Sequence, residues 1–275
     1  MPLSSRQQAV VDGWLPGAEV VADHAWGLVD TTVLQVRHQG QELTVKAGGP
    51  DNHHIGREID AHEHFTAPLL PDRAPRLLHA DRASSVLVTT WLPGHLVEGH
   101  AAEVQPETYR QAGELLGRWH GQASRPDEGW LAEQRDRAAR WLDQPHRIPP
   151  EQVDLIQERL ARARVERVTL VPTHGDLSPR NWLVHRGRIS LIDFGRAAWR
   201  PAATDLARLE AGAWRDRPDL EAAFFAGYGQ DPRATDWWPD TQLAEAVGTA
   251  AWAHQVGDEP FERHGLQMLS DALAG

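Results

Sequence analysis

The sequence contains no cysteine and only 2 methionines, 2 tyrosines and 5 phenylalanines among its 275 residues. Without cysteine the chain can form no disulfide and offers no thiolate ligand to a metal ion. No run approaches the ~18 uninterrupted apolar residues of a membrane span. Residues 1–8 also lack the apolar core of a signal peptide. These absences predict a cytoplasmic protein with no membrane partner.

Negative charge exceeds positive charge, and the formal net charge is −11. Such a chain repels nucleic acid and anionic membranes, and it favours cationic partners. The same acidic balance is equally consistent with a role in solubility alone. The chain also carries 12 tryptophans. We expect most of them to pack in the core and one or two to line a ligand cleft.

Strand-like segments fill the first part of the chain, and helical segments dominate the rest. The early strand-like runs are 19–21, 32–36, 42–46, 76–78 and 86–90. Helical spacing occurs at 7–15, 54–67, 108–122, 131–142, 151–165, 202–212, 219–227, 241–255 and 259–273. Short strand-like runs return at 168–171, 182–184 and 189–192. We therefore predict an α+β fold, with a five-stranded sheet and one helix over residues 1–92 and a mainly helical part over residues 93–275.

Two motifs that carry phosphoryl-transfer chemistry follow one another in the second part. His174, Asp176 and Asn181 form the pattern H-x-D-x-x-x-x-N, and a D-F-G turn begins at Asp193. The first motif supplies a carboxylate that receives the proton of a substrate hydroxyl and an amide that holds magnesium, and the second supplies a metal-binding carboxylate. Either motif alone is weak evidence. Together, each after an apolar strand and separated by a hairpin, they predict transfer of a nucleotide's terminal phosphate.

These motifs assign roles to individual residues. Asp176 is the candidate catalytic base, and Asn181 and Asp193 are candidate ligands of one or two Mg²⁺ ions. Arg180 could offer its donors to the transferring phosphate or the substrate, or it could be a surface arginine. We expect His174 to brace the loop through a hydrogen bond.

A lysine and a glutamate precede the motifs in the order found in kinases. Lys46 ends an apolar strand and is expected to reach the α- and β-phosphates, held in place by a glutamate of the following helix. Glu58 is the first choice for that glutamate and Glu63 the second. Taken alone, Lys46 would be read as an edge-strand lysine that faces water. Trp91 and Leu92 follow the last early strand and could pack on a nucleobase, although an ordinary strand-to-loop transition is the alternative.

On these residues the chain resembles the aminoglycoside phosphotransferase family, small-molecule kinases with a bilobal, protein-kinase-like fold. The resemblance is most specific at 174–181, 192–195 and 201–206. It implies an N-terminal antiparallel sheet, ATP or GTP as phosphate donor with Mg²⁺, and the roles given above for Asp176, Asn181, Asp193, Lys46 and Glu58. Independently of the resemblance, Asp205 in the run 204–207 is expected to cap a helix or to prop the catalytic loop.

Two positions depart from the pattern of related kinases. The loop expected to cover the phosphates, at residues 23–31, contains Gly27 as its single glycine instead of G-x-G-x-x-G. Ser178 stands two residues after the candidate base, where protein kinases commonly have lysine.

The acceptor is expected to be a small molecule, because Asp205 follows the D-F-G turn only ten residues later, which leaves no room for an activation loop. Antibiotic-modifying members of the family hold polycationic sugars between carboxylates of C-terminal helices. Candidate acids here are Glu210, Asp216, Asp219, Glu221, Asp236, Asp240, Glu245, Asp258, Glu259 and Glu262, with Trp214, Trp237, Trp238 and Trp252 as candidate aromatics. A cationic antibiotic is therefore the first hypothesis. A metabolic kinase for choline, an amino sugar or a similar alcohol is the second, and a regulatory pseudokinase, which would be expected to lose its catalytic residues, is the third.

Overall fold

The computed structural model describes residues 3–25, 30–162 and 167–274. The chain forms two compact units. The first comprises Met1–Ala123, Pro172–Trp199 and Thr204–Gln230, and the second comprises Ser124–Val171, Arg200–Ala203 and Asp231–Gly275. Residues 26–29 of the expected phosphate-covering loop, including Gly27, lie outside the described residues, as does the end of the helix expected at 151–165. The expected division at residues 92 and 93 stays a prediction.

The helices are α1 Ser5–Trp14, α2 His53–His64, α3 Pro106–His120, α4 Trp130–Leu142, α5 Pro150–Arg162, α6 Pro218–Tyr228, α7 Trp238–Val256 and α8 Glu259–Ala274. The strands are β1 Glu19–Asp23, β2 Thr31–His38, β3 Gln41–Gly48, β4 Leu77–Asp81, β5 Val86–Thr90, β6 His95–Leu96, β7 Arg125–Asp127, β8 Val168–Thr173, β9 Trp182–His185, β10 Arg188–Leu191 and β11 Ala198–Arg200. Within the described residues, none of the helices has the length and apolar character needed to cross a bilayer.

The first unit begins with a five-stranded antiparallel sheet in the order β1-β2-β3-β5-β4, which confirms the predicted sheet. Alternation along β3 decides where its side chains point, because successive residues of a strand face opposite sides of the sheet. Leu43 and Val45 are buried with Val11 of α1 on one side. Lys46 therefore faces the other side, where it stands opposite Leu87 of β5.

Helix α2 covers that other side of the sheet. The Asn52 side chain caps the helix by accepting a hydrogen bond from the backbone N–H of His54 at 2.9 Å. Ile55, Glu58 and Ile59 are buried at helical spacing, and the two isoleucines form an apolar cluster with Leu87. Glu58 thus lies on the helix face that is turned to the sheet, which is also the side that Lys46 faces.

The rest of the first unit is built on helix packing and a small hairpin. Strands β9 and β10 pair antiparallel, with Trp182 opposite Leu191, and β6 adds a third strand beside β9. Helices α3 and α6 approach closely because glycines face backbone at their contact. A Cβ atom at Gly113 would lie 2.1 Å from the carbonyl oxygen of Phe224, and one at Gly227 would lie 1.9 Å from that of Arg110.

Two features of the chain differ from the sequence-based expectation. The α-helix predicted at 202–212 is replaced by a 3₁₀ turn at Ala202–Asp205 and a π-helical turn at Leu209–Ala213. The Asp205 carboxylate accepts hydrogen bonds from the backbone N–H groups of His174 and Gly175, so its turn is tied to another segment of the chain. The two- and three-residue strands β6, β7 and β11 are too short to produce a periodic signal.

The second unit is mainly helical. Strands β7 and β8 pair antiparallel through Arg125–Asp127, and α4, α5, α7 and α8 surround an apolar core that includes Ile156, Val247 and Leu269. Helices α7 and α8 approach closely at Gly265, where a Cβ atom would lie 2.6 Å from the backbone nitrogen of Ala250.

Candidate active site

The β9–β10 hairpin brings the two candidate metal ligands to one end. Asn181 immediately precedes β9 and Asp193 lies two residues beyond β10, and the N–H of Ile192 donates to the Asn181 carbonyl at 3.0 Å. The Asn181 side-chain amide donates to the Asp176 carbonyl at 2.8 Å. That bond uses the amide nitrogen, so Oδ1 is the atom available to a cation. Asp193 has a φ of +65°, a conformation that few residues other than glycine adopt.

The aromatic residue of the D-F-G turn holds Asp193 in this conformation. Phe194 is fully buried and stacks on Trp119 of α3, with ring centroids 4.9 Å apart and an interplanar angle of 11°. His62 of α2 contacts the same ring edge-on at 5.3 Å. The next residue, Gly195, has its carbonyl oxygen 3.0 Å from Nδ1 of His54. The turn is therefore anchored to α2 and α3 on both sides of its backbone.

The loop that carries Asp176 is braced by Asp205. The Asp205 carboxylate accepts from the N–H groups of His174 and Gly175 at 2.7 and 2.6 Å. Nε2 of His120 lies 3.0 Å from the same carboxylate, and its Nδ1 lies 2.8 Å from the Tyr228 hydroxyl. Burial works to raise the pKa of Asp205, but its hydrogen bonds and His120 hold that pKa below its ordinary value. Asp205 thus stays anionic where the loop needs an acceptor.

Lys46 is the single lysine of the chain, and it joins two carboxylates. Its Nζ lies 2.5 Å from Glu58 Oε2 and 2.6 Å from Asp193 Oδ1. Burial alone would lower the pKa of Lys46, but Asp193 and Glu58 together raise it above its ordinary value. The Lys46 ammonium in turn holds the pKa of Asp193 well below its usual range. Glu63, the second choice for the lysine's partner, instead forms an exposed pair with Arg82 at 2.6 Å.

Three arginines surround the carboxylate of Asp176. Arg180 Nη2 lies 2.6 Å from Oδ2, and Arg208 Nε lies 2.9 Å from Oδ1. Arg196 Nε lies 3.8 Å from Oδ2, beyond hydrogen-bond distance. Burial works to raise the pKa of Asp176, but Arg208, Arg180 and Arg196 hold it below its ordinary value. The carboxylate is therefore ionised, and each of its oxygens has an arginine partner.

Arg196 and Arg208 were not among the residues predicted for the site. Two signals could have found them, since Arg196 directly follows the D-F-G turn and Arg208 stands three residues after Asp205. Their convergence on Asp176 is a tertiary contact that spacing alone does not reveal.

Trp91 and Leu92, the candidate nucleobase contacts, follow strand β5, and Trp91 contacts Glu42 and His24. Both are half-buried after the end of β5, the Trp91 N–H donates to the Glu42 carbonyl at 3.2 Å, and its ring lies 5.2 Å from that of His24. Among the residues that the structure describes, no hydrogen bond joins either of them to Lys46 or Asp193.

The donor set at the hairpin end fits a hard cation. Asp193 offers carboxylate oxygens and Asn181 an amide oxygen, which are the ligand types that Mg²⁺ takes in phosphoryl-transfer sites. Lys46 stands beside Asp193 as a compact cation for phosphate oxygens. These residues form an arrangement able to hold the phosphates of a nucleotide together with a metal ion.

Fold and site together define a kinase-like phosphotransferase, and the family comparison makes this specific. The model of the phosphotransferase enzyme family, APH, matches residues 27–238. The chain belongs to this family, which confirms the resemblance, the predicted fold class and the small-molecule phosphotransferase class. Comparison of the sequence with curated proteins gives no match.

Solved structures with similar folds come from several phosphotransferases. The chain superposes on aminoglycoside phosphotransferase APH(4)-Ia with a TM-score of 0.73 and 12% identity, covering 98% of this chain and 99% of that one. The chain superposes on macrolide 2'-phosphotransferase MphH from Brachybacterium faecium with a TM-score of 0.65 and 20% identity, covering 94% of this chain and 98% of that one. On choline kinase LicA from Streptococcus pneumoniae it superposes with a TM-score of 0.67 and 14% identity, covering 98% of this chain and 99% of that one. A thermostable form of APH(4)-Ia has been crystallised with ADP or AMP-PNP and hygromycin B. At identities of 12 to 20%, these similarities show that the chain shares the fold of these proteins.

Proposed function

We propose that the protein transfers the γ-phosphate of ATP or GTP to a hydroxyl group of a small molecule with the help of Mg²⁺. The observation that carries the proposal is the meeting of Asn181, Asp193 and Lys46 in one place, two oxygen donors for a metal beside a cation for phosphate. The nucleotides bound in crystals of APH(4)-Ia support the choice of donor.

In this proposal Asp193 and Asn181 hold the metal, and Lys46 binds phosphate oxygens. A bound Mg²⁺ would neutralise phosphate charge as the terminal phosphoryl group leaves. Glu58 keeps Lys46 in position, because the carboxylate is buried and lies 2.5 Å from the ammonium group. Trp91 and Leu92, at the end of β5, are proposed to contact the nucleobase.

Asp176 is proposed to receive the proton of the acceptor hydroxyl. The hydroxyl oxygen forms a bond to the γ-phosphorus, the bond from that phosphorus to the β–γ bridging oxygen breaks, and the proton moves to the Asp176 carboxylate. The transition state is loose, so a base of lowered pKa is sufficient when it orients the hydroxyl and accepts the proton late. Arg180 and Arg208 each contact one oxygen of Asp176, and the lone pairs that remain on these oxygens can accept the hydroxyl beside the arginines.

Two classes of acceptor compete within this reaction. A cationic antibiotic is favoured by the net charge of −11 and by the acidic C-terminal stretch, and its phosphorylation would confer resistance. Several of the candidate acids already have cationic partners, however. Asp219 pairs with Arg217 at 2.8 Å and Asp240 with Arg159 at 3.0 Å.

The metabolic-kinase alternative gains support from the arginines around Asp176, which lie where the acceptor must bind. Some of the candidate tryptophans also have structural roles, since Trp214 and Trp238 are buried. A pseudokinase is the weakest alternative, because Lys46, Asp176, Asn181 and Asp193 are all present.

An ADP- or GDP-release assay over aminoglycosides, macrolides, peptide antibiotics, choline, sugars and hydroxy acids tests the proposal. We expect Mg²⁺-dependent turnover with one class of hydroxyl compound. In Asp176→Ala the rate should fall roughly 10²- to 10⁴-fold while Mg²⁺–nucleotide affinity is kept, because the base is lost and the phosphate ligands remain. An Asp176→Ala protein within threefold of the parent rate would exclude Asp176 as the base.

A further inference from the structure

The groups that contact the Asp176 carboxylate are cationic, in contrast to the acidic composition of the protein as a whole. One buried carboxylate, with a side chain 6% exposed, faces three guanidinium groups that are each 35 to 47% exposed. The arginines therefore form the layer that an incoming molecule meets before it reaches the carboxylate. Local charge decides what binds there, because at physiological ionic strength charges more than about 8 Å apart are largely screened where solvent separates them.

The three arginines come from separate segments, each held by its own backbone contacts. Arg180 lies in the 3₁₀ turn Pro179–Asn181. Arg196 lies within a turn closed by the bond from the Ala197 N–H to the Phe194 carbonyl at 2.9 Å. Arg208 follows Asp205, which is tied to the catalytic loop. Ser178 adds a buried hydroxyl without a hydrogen-bond partner among the described residues. The loop that carries Asp176 thus holds a hydroxyl that is not engaged by the described residues.

Binding of the acceptor hydroxyl to Asp176 has a consequence for these arginines. The hydroxyl has to share the two carboxylate oxygens with Arg180 and Arg208, so the rest of the acceptor lies against guanidinium groups. A cationic acceptor would add charge of the same sign to the cluster. An acceptor with a carboxylate or phosphate group would instead supply oxygens for the guanidinium groups, above all for Arg196, whose Nε lies 3.8 Å from the Asp176 carboxylate.

Resting on the phosphotransferase function proposed above, we infer that Arg180, Arg196 and Arg208 form an oxyanion site for the acceptor, which is a hydroxyl compound that carries a carboxylate or phosphate group. Guanidinium groups suit this task because they bind planar carboxylates and phosphates through paired donors. Arg196 has the clearest role in this site, because it is the most exposed of the three and makes no hydrogen bond to Asp176.

The γ-phosphate of the nucleotide is the other possible source of the oxyanion, and a binding experiment separates the two. Inorganic phosphate is titrated by calorimetry at constant ionic strength into the protein alone and into the protein saturated with Mg²⁺ and AMP-PNP. The acceptor site predicts that phosphate still binds when AMP-PNP is present. Loss of phosphate binding in the presence of AMP-PNP would assign the arginines to the nucleotide and overturn the inference.

Two variants test the residues. Arg196→Gln should raise the dissociation constant for phosphate about tenfold or more, because a charged donor is lost. Arg188→Gln is the matched control, since Arg188 is an exposed arginine of the same unit that pairs with Asp72 at 2.7 Å. It should bind phosphate like the parent. Equal affinity in all three proteins would overturn the inference.

Kinetics with matched acceptors give a second readout, first with the parent protein and then with Arg196→Gln. Glycerate is compared with glycerol, gluconate with glucose, and glucose 6-phosphate with glucose in the nucleotide-release assay. The anionic member of a pair should be preferred, and Arg196→Gln should raise its KM about tenfold or more while the KM for Mg²⁺–ATP stays within about twofold. Turnover of neutral or polycationic acceptors without this preference would overturn the anionic acceptor and leave the phosphotransferase function standing. Absence of Mg²⁺-dependent nucleotide binding would instead contradict the function itself.

Discussion

Lys46 and Asp193 are joined by an ion pair, with Nζ 2.6 Å from Oδ1, and Lys46 extends this contact to the buried Glu58. One side chain of the central strand β3 thus connects helix α2 to the D-F-G turn. If Asp193 binds a metal ion through Oδ1, the metal would compete with Lys46 for that oxygen and would leave the lysine available to phosphate. Nucleotide binding is therefore expected as an exchange of partners within an existing charge cluster.

Removal of the Asp193 carboxylate should abolish Mg²⁺-dependent nucleotide binding. Asp193→Ala removes the anionic oxygen donor of the proposed metal site, and Asn181→Ala should show a weaker form of the same defect because it removes a neutral donor. Thermal-shift measurements with ATP, with and without Mg²⁺, read this directly. Asp72→Ala, which removes an exposed carboxylate paired with Arg188, is the control. An undiminished Mg²⁺-dependent shift in Asp193→Ala would place the metal elsewhere.

Because Lys46 is the single lysine, an amine acylating reagent reports on it alone besides the N-terminus. Acylation needs the neutral amine, and both carboxylates raise the pKa of Lys46, so labelling should be slow in the parent. Asp193→Ala should label faster because one of the two charges is gone, and Mg²⁺–ATP should protect the parent. Mass spectrometry of the Lys46 peptide, with the N-terminus as internal reference, gives the rates. Equal rates with and without nucleotide would argue against phosphate binding by Lys46.

His62 should make the fold sensitive to mild acid. Burial and then the nearby Lys46 charge lower the pKa of His62 from 6.5 to about 4. The folded state therefore binds fewer protons than the unfolded state between these values, so stability is lost as pH falls from about 6.5 towards 4, by about 3 kcal/mol in total. Urea denaturation of the parent and of His62→Gln across this range should show a smaller pH slope in the variant. An equal pH slope in the two proteins would contradict this role of His62.

The glycine contact between α3 and α6 should be intolerant of even one methyl group. Gly113→Ala places a Cβ atom against the Phe224 carbonyl, and we expect a loss of about 1–3 kcal/mol because the helices must move apart. The same separation would strain the 2.8 Å contact of His120 with Tyr228, so turnover should fall as well. Gly13→Ala is the control, since a Cβ atom at Gly13 meets nothing within 4 Å. Urea denaturation of the two variants decides the matter, and equal stability would contradict the close approach.

The sheet was predictable from the sequence because its cause is local. Alternation of apolar residues such as Leu43 and Val45 is sufficient to predict β3, and that alternation also turns Lys46 to the side covered by α2. The metal-ligand candidates could be found for a similar reason, since the strands on either side of a short hairpin fix the positions of Asn181 and Asp193.

The arginine cluster was not predictable in the same way. Arg180, Arg196 and Arg208 are separated by 16 and 12 residues, and their approach to Asp176 depends on how three segments pack. The net charge of −11 predicted a cationic acceptor, but this number sums the charges of the whole chain. A bound acceptor interacts mainly with the few charges that lie within a Debye length of about 8–10 Å. The acidic composition and the local cluster therefore lead to opposite hypotheses, and the local one rests on the contacts of three named arginines with Asp176.

Because the one lysine of the sequence lies in the central strand, the rate at which the sheet opens can be measured by proteolysis. A protease that cleaves only after lysine has one site in the sequence, and that site lies in β3, hydrogen-bonded to β2 and β5 on its two sides. Cleavage requires this strand to leave the sheet, because a protease binds its substrate in an extended, accessible form. The rate at which the two fragments, 1–46 and 47–275, appear therefore reports the rate at which β3 leaves the sheet, and no engineered label is needed.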